Sequence, residues 1–425
     1  MSRLFGFESE AASRARRLKD AVLACFDAPA QEAEERFAEF GLRDWQRILY
    51  WIDISGMALY LLDRLKELGI ERCLPEEMRA RFEQNLVENR ERTEALFQEA
   101  AALSDALRRQ EISFALLKGI TLTPESVRDP ALRWQIDLDY LVAARDATAA
   151  RHVVMDFGYT LHAVCGNTME FWAGESSAPD MRNIYRVRSQ RSLELHMLST
   201  TAGRDGKRQD RLARIAARDF GGAKIPTLSP ADILVQQALH LFKHLCGEHT
   251  RASWVLELRR HVEARSNDGS FWESVEQIAR HEPQGEVALG AALLLSKLMF
   301  PLAAVPAFGA TAISKLPSKV RMWVESFGAR VLLADSSGNK LYLILRKELR
   351  GGREQRKAIR KLVFPAHLPP PITRGVEGEG LGARLARYKT EAYYVLMRLW
   401  FHIIEGLKYA IELSRWQRRM TEISR

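Results

Sequence analysis

The residues Arg133-Trp134-Gln135-Ile136-Asp137-Leu138-Asp139-Tyr140-Leu141-Val142 alternate side-chain character in a chain whose patterning is otherwise mostly helical. A two-residue period is the signature of an extended strand, so the fold must contain a sheet. On that strand Asp137, Asp139 and Leu141 share one face. Ile136, Leu138, Tyr140 and Val142 share the other, which is expected to be buried. Neighbouring carboxylates repel each other and gain nothing from packing, but a hard divalent cation seeks several oxygen ligands. Asp137 and Asp139 are therefore the lead candidates for a metal site. The plainer alternative is a solvent-facing strand carrying two surface acids.

At 425 residues the chain can build two to three domains around a sizeable core. Its 47% hydrophobic and 28% charged residues are ordinary for a folded globular protein, which excludes general disorder. A net charge of +9 suits an anionic partner such as a nucleotide, nucleic acid or acidic membrane, or only a solvated basic surface. Cys25, Cys73, Cys165 and Cys246 lie far apart, without paired metal spacing. They predict free thiols in a reducing cytoplasm, with no disulfide framework and no cysteine zinc site. The Arg-rich N-terminal run lacks the apolar centre of a signal peptide. The apolar stretches 291–305 and 392–404 are too short and too interrupted to span a membrane, so no transmembrane segment is expected.

Four segments follow from changes in pattern: an N-terminal helical lobe (1–111), a mixed α/β core (112–225), a helical domain (226–364), and a Pro/Gly linker with a C-terminal helix (365–425). In the first, Trp45, Leu49, Trp51, Ile52, Ala58, Leu59 and Leu62 recur at helical spacing, and Pro75 opens a long helix to about Arg109. In the second, the apolar run 112–117 ends on Lys118-Gly119 and a helix-like stretch, 120–127, follows. A helix over 144–157 is closed by Gly158, and a hairpin turns at Ser189-Gln190 between strands 183–188 and 192–198. In the third, Ser229-Pro230 marks a helix start, with helices to about Cys246 and over 253–264, 271–281 and 286–298. The basic run 346–361 reads as a solvated helix face, and the aromatic helix 385–420 as one that packs back on the helical lobes.

A third acid lies in Leu193-Glu194-Leu195-His196-Met197, where Glu194 and His196 share a face. If this strand pairs beside Asp137 and Asp139, three carboxylates converge. Such a triad can hold two metal ions, bind a nucleoside triphosphate and orient an attacking hydroxyl. Lys118-Gly119 stands where a strand gives way to a helix, a place where backbone amides and a lysine suit a phosphate. Arg133, Arg186 and Arg188 could reach a phosphate or serve as surface ion pairs.

The order Leu116-Leu117-Lys118-Gly119, Asp129-Pro130-Ala131-Leu132-Arg133, Asp137-Leu138-Asp139-Tyr140-Leu141-Val142 resembles the bacterial nucleotidyltransferase family proteins of the DNA polymerase β-like superfamily. The likeness continues through Phe157-Gly158-Tyr159, Leu193-Glu194-Leu195-His196, Leu239-His240-Leu241, His244 and Trp254-Val255-Leu256-Glu257, covering roughly residues 40 to 265. The resemblance implies an α+β fold, mostly helical, with a small mixed sheet embedded between helical lobes. It also implies magnesium (or manganese) held by Asp137 and Asp139, with Glu194 as the third acid, and transfer of a nucleoside monophosphate. Lys118 and Gly119 stand where superfamily members usually carry Gly-Ser. Trp134-Gln135-Ile136 replaces smaller residues before the acids, and Glu257 stands where the family tends to show Asp.

His240 and His244 are four apart on a helix, a spacing that zinc ligands also use, but no third ligand is evident. They are read instead as histidines lining a nucleotide cleft or satisfied in the core, and His196 as a group that orients or deprotonates the acceptor. The first functional reading is a nucleotidyltransferase acting on a small molecule, sugar or peptide, by analogy a polysaccharide precursor or peptide natural product. The second is a degenerate nucleotidyltransferase fold kept as a binding or scaffold protein. An RNA-modifying enzyme is the third, supported by the basic charge alone, and no nucleic-acid partner is expected.

Overall fold

The computed structural model describes residues 10–174, 184–185, 190–198, 211–300, 307–334, 338–349, 353–363, 365 and 380–423. The chain begins with α1 (Glu10–Ala24), α2 (Ala30–Phe37), α3 (Leu42–Ile54), α4 (Ala58–Leu68) and α5 (Glu76–Arg109). The sheet region follows with β1 (Phe114–Leu117), β2 (Asp137–Val142), α6 (Ala147–Asp156), β3 (Thr160–Cys165), β4 (Thr168–Ala173), β5 (Arg191–Met197), β6 (Ile215–Phe220) and β7 (Ala223–Leu228). Helices return as α7 (Pro230–Leu245), α8 (Ala252–Ala264), α9 (Gly269–His281), α10 (Gly285–Met299) and α11 (Ala307–Ser314). The remainder holds α12 (Ser318–Leu332), α13 (Tyr342–Leu349), α14 (Arg353–Val363) and α15 (Leu381–Ile423). The fold is α+β and mostly helical, with a mixed sheet between helical segments.

Two compact units make up the chain: residues 1–242 with 251–316, and residues 243–250 with 317–425. In the first, the sheet runs β3-β4-β5-β2-β1-β7-β6. β2 pairs antiparallel with β1 and parallel with β5, and β1 meets β7 in parallel. One face packs on α5 and α6: Leu116, Leu138, Tyr140, Val142, Phe171, Leu193 and Leu195 bury against Leu96, Ala100, Leu103, Val153 and Val154. Each fully buried Leu or Phe there contributes roughly 2 kcal/mol. α5 reaches 34 residues because it contains neither Gly nor Pro, carries Glu76 and Glu77 in its first turn, and ends on Arg108 and Arg109. In α3 and α4, Trp45, Ile52, Leu59 and Leu62 are buried core, as their spacing predicts.

Three expectations are corrected. The stretch 120–127 is not a helix: a single 3-10 turn, Gly119–Leu122, ends at Thr123 in extended conformation (φ −84°, ψ 137°). Pro124 follows, and the residue before a proline is driven out of the helical region. Ile136 is 40% exposed rather than buried, because β2 begins one residue later at Asp137. The strand expected over 183–188 lies largely outside the described residues, and the antiparallel neighbour of β5 is β4.

In the second unit, Trp416 of α15 is buried, touches Phe327, and donates its indole N–H to Glu348 Oε1 at 3.0 Å. Leu381, Leu385, Tyr388, Tyr393, Leu396, Leu399 and Trp400 are exposed, so α15 packs mainly through its C-terminal half. Lys340, also buried, donates to the carbonyls of Leu362 and Val363 at the end of α14. Among the described residues no helix is long and apolar enough to cross a membrane. None of the four cysteines forms a disulfide, and burial pushes the Cys25 thiol up to about 12.

Candidate active site

The sheet face turned away from α5 and α6 carries polar side chains at alternate positions of three adjacent strands. Parallel pairing sets Asp139 opposite Glu194, and antiparallel pairing sets Glu194 opposite Glu170, so three acids form one row. Beside that row lie His196 and Thr168, paired with Leu141. Like charges directly opposite destabilise a sheet unless something cationic sits among them. Asp139, Glu194 and His196 approach closely enough for their donor atoms to share one ion, and they are the only such group among the described residues.

The group is closely bonded. His196 Nε2 lies 2.9 Å from Asp139 Oδ1 and 3.0 Å from Glu194 Oε2. His196 Nδ1 sits 3.1 Å from Thr168 Oγ1, which orients the ring. Lys118, leaving the end of β1, donates from Nζ to Asp139 Oδ1 at 2.7 Å and Glu194 Oε2 at 3.3 Å. The His196 hydrogen bond, helped by the Lys118 charge, holds the Glu194 carboxyl well below the usual range. Burial works against the charged His196, but hydrogen bonds to Asp139 and Glu194 outweigh it and raise its pKa. Burial likewise opposes the Lys118 charge, and the Asp139 carboxylate more than compensates.

Asp137 stands apart. Its carboxylate has no hydrogen-bond or ion-pair partner among the described residues, and burial together with the nearby Asp139 charge pushes it up to about 6. An acid held half-buried without a partner is costly unless a cation completes it. Two carboxylates, an imidazole and a spare carboxylate fit a divalent ion.

The approach to β2 is fixed from several sides. Arg133 lies 3.3 Å from the buried Glu257 carboxylate, to which Tyr60 of α4 donates at 3.0 Å, and donates to Gln135 at 3.1 Å. Gln135 in turn covers Gly119, where a Cβ would come within 2.6 Å of Gln135 Oε1. Trp134 donates to the Ile184 carbonyl at 2.8 Å and lies under the Arg251 guanidinium, 5.0 Å from its ring centre. Arg133 is thus an inward-held ion pair. Glu257 makes the contact that an acid in that place can make.

His240 sits edge-on to Trp254 with ring centres 4.7 Å apart, and His244 Nδ1 lies 3.2 Å from the His249 carbonyl. Neither belongs to the donor group of Asp139, Glu194 and His196. Arg186 and Arg188 lie outside the described residues. Sequence reasoning missed Thr168 and Glu170, which β4 brings to the polar face. The signal was present: Met169, Phe171 and Ala173 are buried while Thr168, Glu170 and Trp172 alternate with them.

Residues 42–301, more than half of the chain, match the family described as uncharacterised nucleotidyltransferase. The chain belongs to this family. The matched residues include the sheet and the polar face just described. No curated protein is matched by the sequence. Solved structures with some likeness include the antibiotic-resistance factor ANT(2'')-Ia, at 10% identity, covering 44% of this chain and 89% of that one, with a TM-score of 0.28. An antigenic nucleotidyltransferase-like protein from Paracoccidioides brasiliensis is 13% identical over 45% and 91%, with a TM-score of 0.29. A tRNA nucleotidyltransferase complexed with a primer tRNA and an incoming ATP analogue is 13% identical over 76% and 98%, with a TM-score of 0.19. At these scores the overlays are loose, and no residue role is drawn from them.

Proposed function

We propose that this nucleotidyltransferase moves a nucleoside monophosphate from a nucleoside triphosphate to a hydroxyl or phosphate of a small-molecule, sugar or peptide acceptor. The observation that carries the reading is the in-register pairing of Asp139 with Glu194, beside an Asp137 carboxylate that has no hydrogen-bond or ion-pair partner among the described residues. Asp139, Glu194 and His196, whose donor atoms lie together, would hold magnesium or manganese, with Asp137 beside them as a further ligand. Such an ion, when bound, neutralises phosphate charge and favours loss of pyrophosphate.

The chain's own residues supply the rest. Lys118 offers a cation to the phosphates beside the close-packed turn at Gly119. His196, held by Thr168, is placed to orient an acceptor hydroxyl. Arg133 keeps the segment before β2 in place through Glu257 rather than binding phosphate directly. No chemistry is assigned to His240 or His244. The catalytic part is the segment 112–225, and four cysteines outside any disulfide suit a reducing cytoplasm.

One observation favours a second reading, a degenerate fold that only binds: Lys118 already satisfies Asp139 and Glu194 without an ion. Calorimetric titration of ATP, GTP, CTP and UTP with magnesium tests the site that both readings share, and release of pyrophosphate from the bound triphosphate separates the two. Magnesium-dependent binding by the wild type, lost in the Asp137→Asn/Asp139→Asn double variant, is the expected result. A folded wild type that binds no triphosphate ends the transferase reading.

A further inference from the structure

The Lys118 ammonium stands among the same three residues that could share an ion. It contacts Asp139 and Glu194 and lies 3.4 Å from His196 Nε2. It reaches them from a backbone at φ 47°, ψ −150°, a region that side chains other than glycine rarely occupy. The turn behind it is locked. Gly119 is packed under Gln135, and the Thr121 hydroxyl donates to the Lys118 carbonyl at 2.7 Å. An unusual backbone, fixed on its far side, therefore delivers a positive charge to the row formed by Asp139, Glu194 and Glu170. A divalent ion would seek the same carboxylate oxygens, and two cations cannot share them at hydrogen-bonding distance.

We propose that Lys118 is a resident counter-ion which a divalent ion must displace, and that its release toward the triphosphate couples ion binding to nucleotide binding. This rests on the metal site of the proposed function. The Lys118 side chain is 38% exposed, so its flexible stem has room to leave the carboxylates. Without nucleotide, the ion has to evict a bonded ammonium into water. With nucleotide, the evicted ammonium gains a phosphate partner, and the two ligands strengthen each other reciprocally. Asp139 and Glu194 thereby face a cation in both states, first the lysine and then the ion.

The test is titration of Mn2+ alone on the full chain, followed by electron paramagnetic resonance, for wild type, Lys118→Met, Lys118→Gly, Lys118→Arg and Lys224→Met. Glycine is at home in the backbone region of residue 118, so Lys118→Gly keeps the assay available if the methionine variant unfolds. Lys224 is an exposed lysine on β7 and controls for loss of bulk charge. Lys118→Met and Lys118→Gly are expected to bind Mn2+ at least tenfold more tightly than wild type. Lys118→Arg and Lys224→Met should stay within threefold of it. Methylene-bridged analogues of the four triphosphates should tighten Mn2+ binding at least tenfold in wild type and less than threefold in Lys118→Met. Equal or weaker Mn2+ binding by both neutral Lys118 variants overturns the proposal, as does an equal gain in Lys224→Met. If no protein binds Mn2+ with or without nucleotide, the metal site itself is wrong and this proposal goes with it. Intact Mn2+ binding without the coupling overturns this proposal and leaves the metal site of the proposed function standing.

Discussion

Glu125 secures the chain just after the Lys118-Gly119 turn. Its carboxylate, 8% exposed, receives Arg218 at 2.6 Å and Arg265 at 2.8 Å, and Arg218 also donates to the Thr123 carbonyl at 2.6 Å. Burial opposes the Glu125 charge, but hydrogen bonds from Arg265 and Arg218 win and hold the carboxyl down at about 2. Its folded value lies below its unfolded value of about 4.3. The stabilisation is therefore complete above about pH 4.3 and is lost as pH falls toward 2. Glu125→Gln should cost roughly 3 kcal/mol at pH 7, because it leaves two arginines facing a neutral group. Urea melts from pH 7 to pH 2 should show the gap between wild type and variant narrowing below pH 4. A gap that stays constant across that range would contradict the ion-pair account. Lys118 is the contrasting case at this scale. Its backbone conformation costs on the order of 1–3 kcal/mol, a strain held by the packed turn behind it and by its contacts with the acids in front.

At the scale of elements, α5 is both the floor of the sheet and the support of the loop that leads into β2. Asn89, fully buried on α5, donates to the Ala131 carbonyl at 2.6 Å and the Arg133 carbonyl at 3.1 Å. Asn89→Ala leaves the buried Ala131 carbonyl and the half-buried Arg133 carbonyl without this donor and should cost about 2–4 kcal/mol, read from urea melts. The same variant should weaken magnesium-dependent triphosphate binding by loosening the entry to Asp137. Binding unchanged in a destabilised variant would show that the loop holds without α5. The sequence made α5, α7, α8, α9, α10, β1, β2 and β5 readable, because periodicity there meets clear boundaries such as Pro75 at the start of α5 and Ser229-Pro230 at the start of α7. The missed strands have physical reasons. β3 and β6 are the two edges of the sheet, and most of their residues are exposed or half-exposed, so their apolar signal is faint. β7 contains Pro226, a residue that counts against a strand, and its pairing with β1 is short. Reading β2 and β5 is enough to single out Asp137, Asp139, Glu194 and His196 as candidates. Finding Thr168 and Glu170 required knowing that β4 lies beside β5, which is a fact of topology rather than of local pattern.

For the whole molecule, the charge of +9 acts beyond any one contact. A field of that sign accelerates the arrival of an anionic triphosphate and is screened over about 10 Å at 0.1 M salt. The association rate of a fluorescent triphosphate analogue, followed by stopped flow, should fall severalfold between 50 and 500 mM salt. The dissociation rate should change less, and a salt-independent association rate would show that the charge lies elsewhere than the approach to the site.

The polar face has another consequence. Asp137, Asp139, Glu194, His196, Thr168 and Glu170 alternate along the strands with Leu138, Tyr140, Leu193, Leu195, Met169 and Phe171. Two messages are interleaved on one backbone, one written for folding and the other for chemistry. Either can be rewritten while its neighbour stays intact. A lineage on this scaffold can therefore exchange donors, change its acceptor, or fall silent as a catalyst, with its hydrophobic layer unaltered.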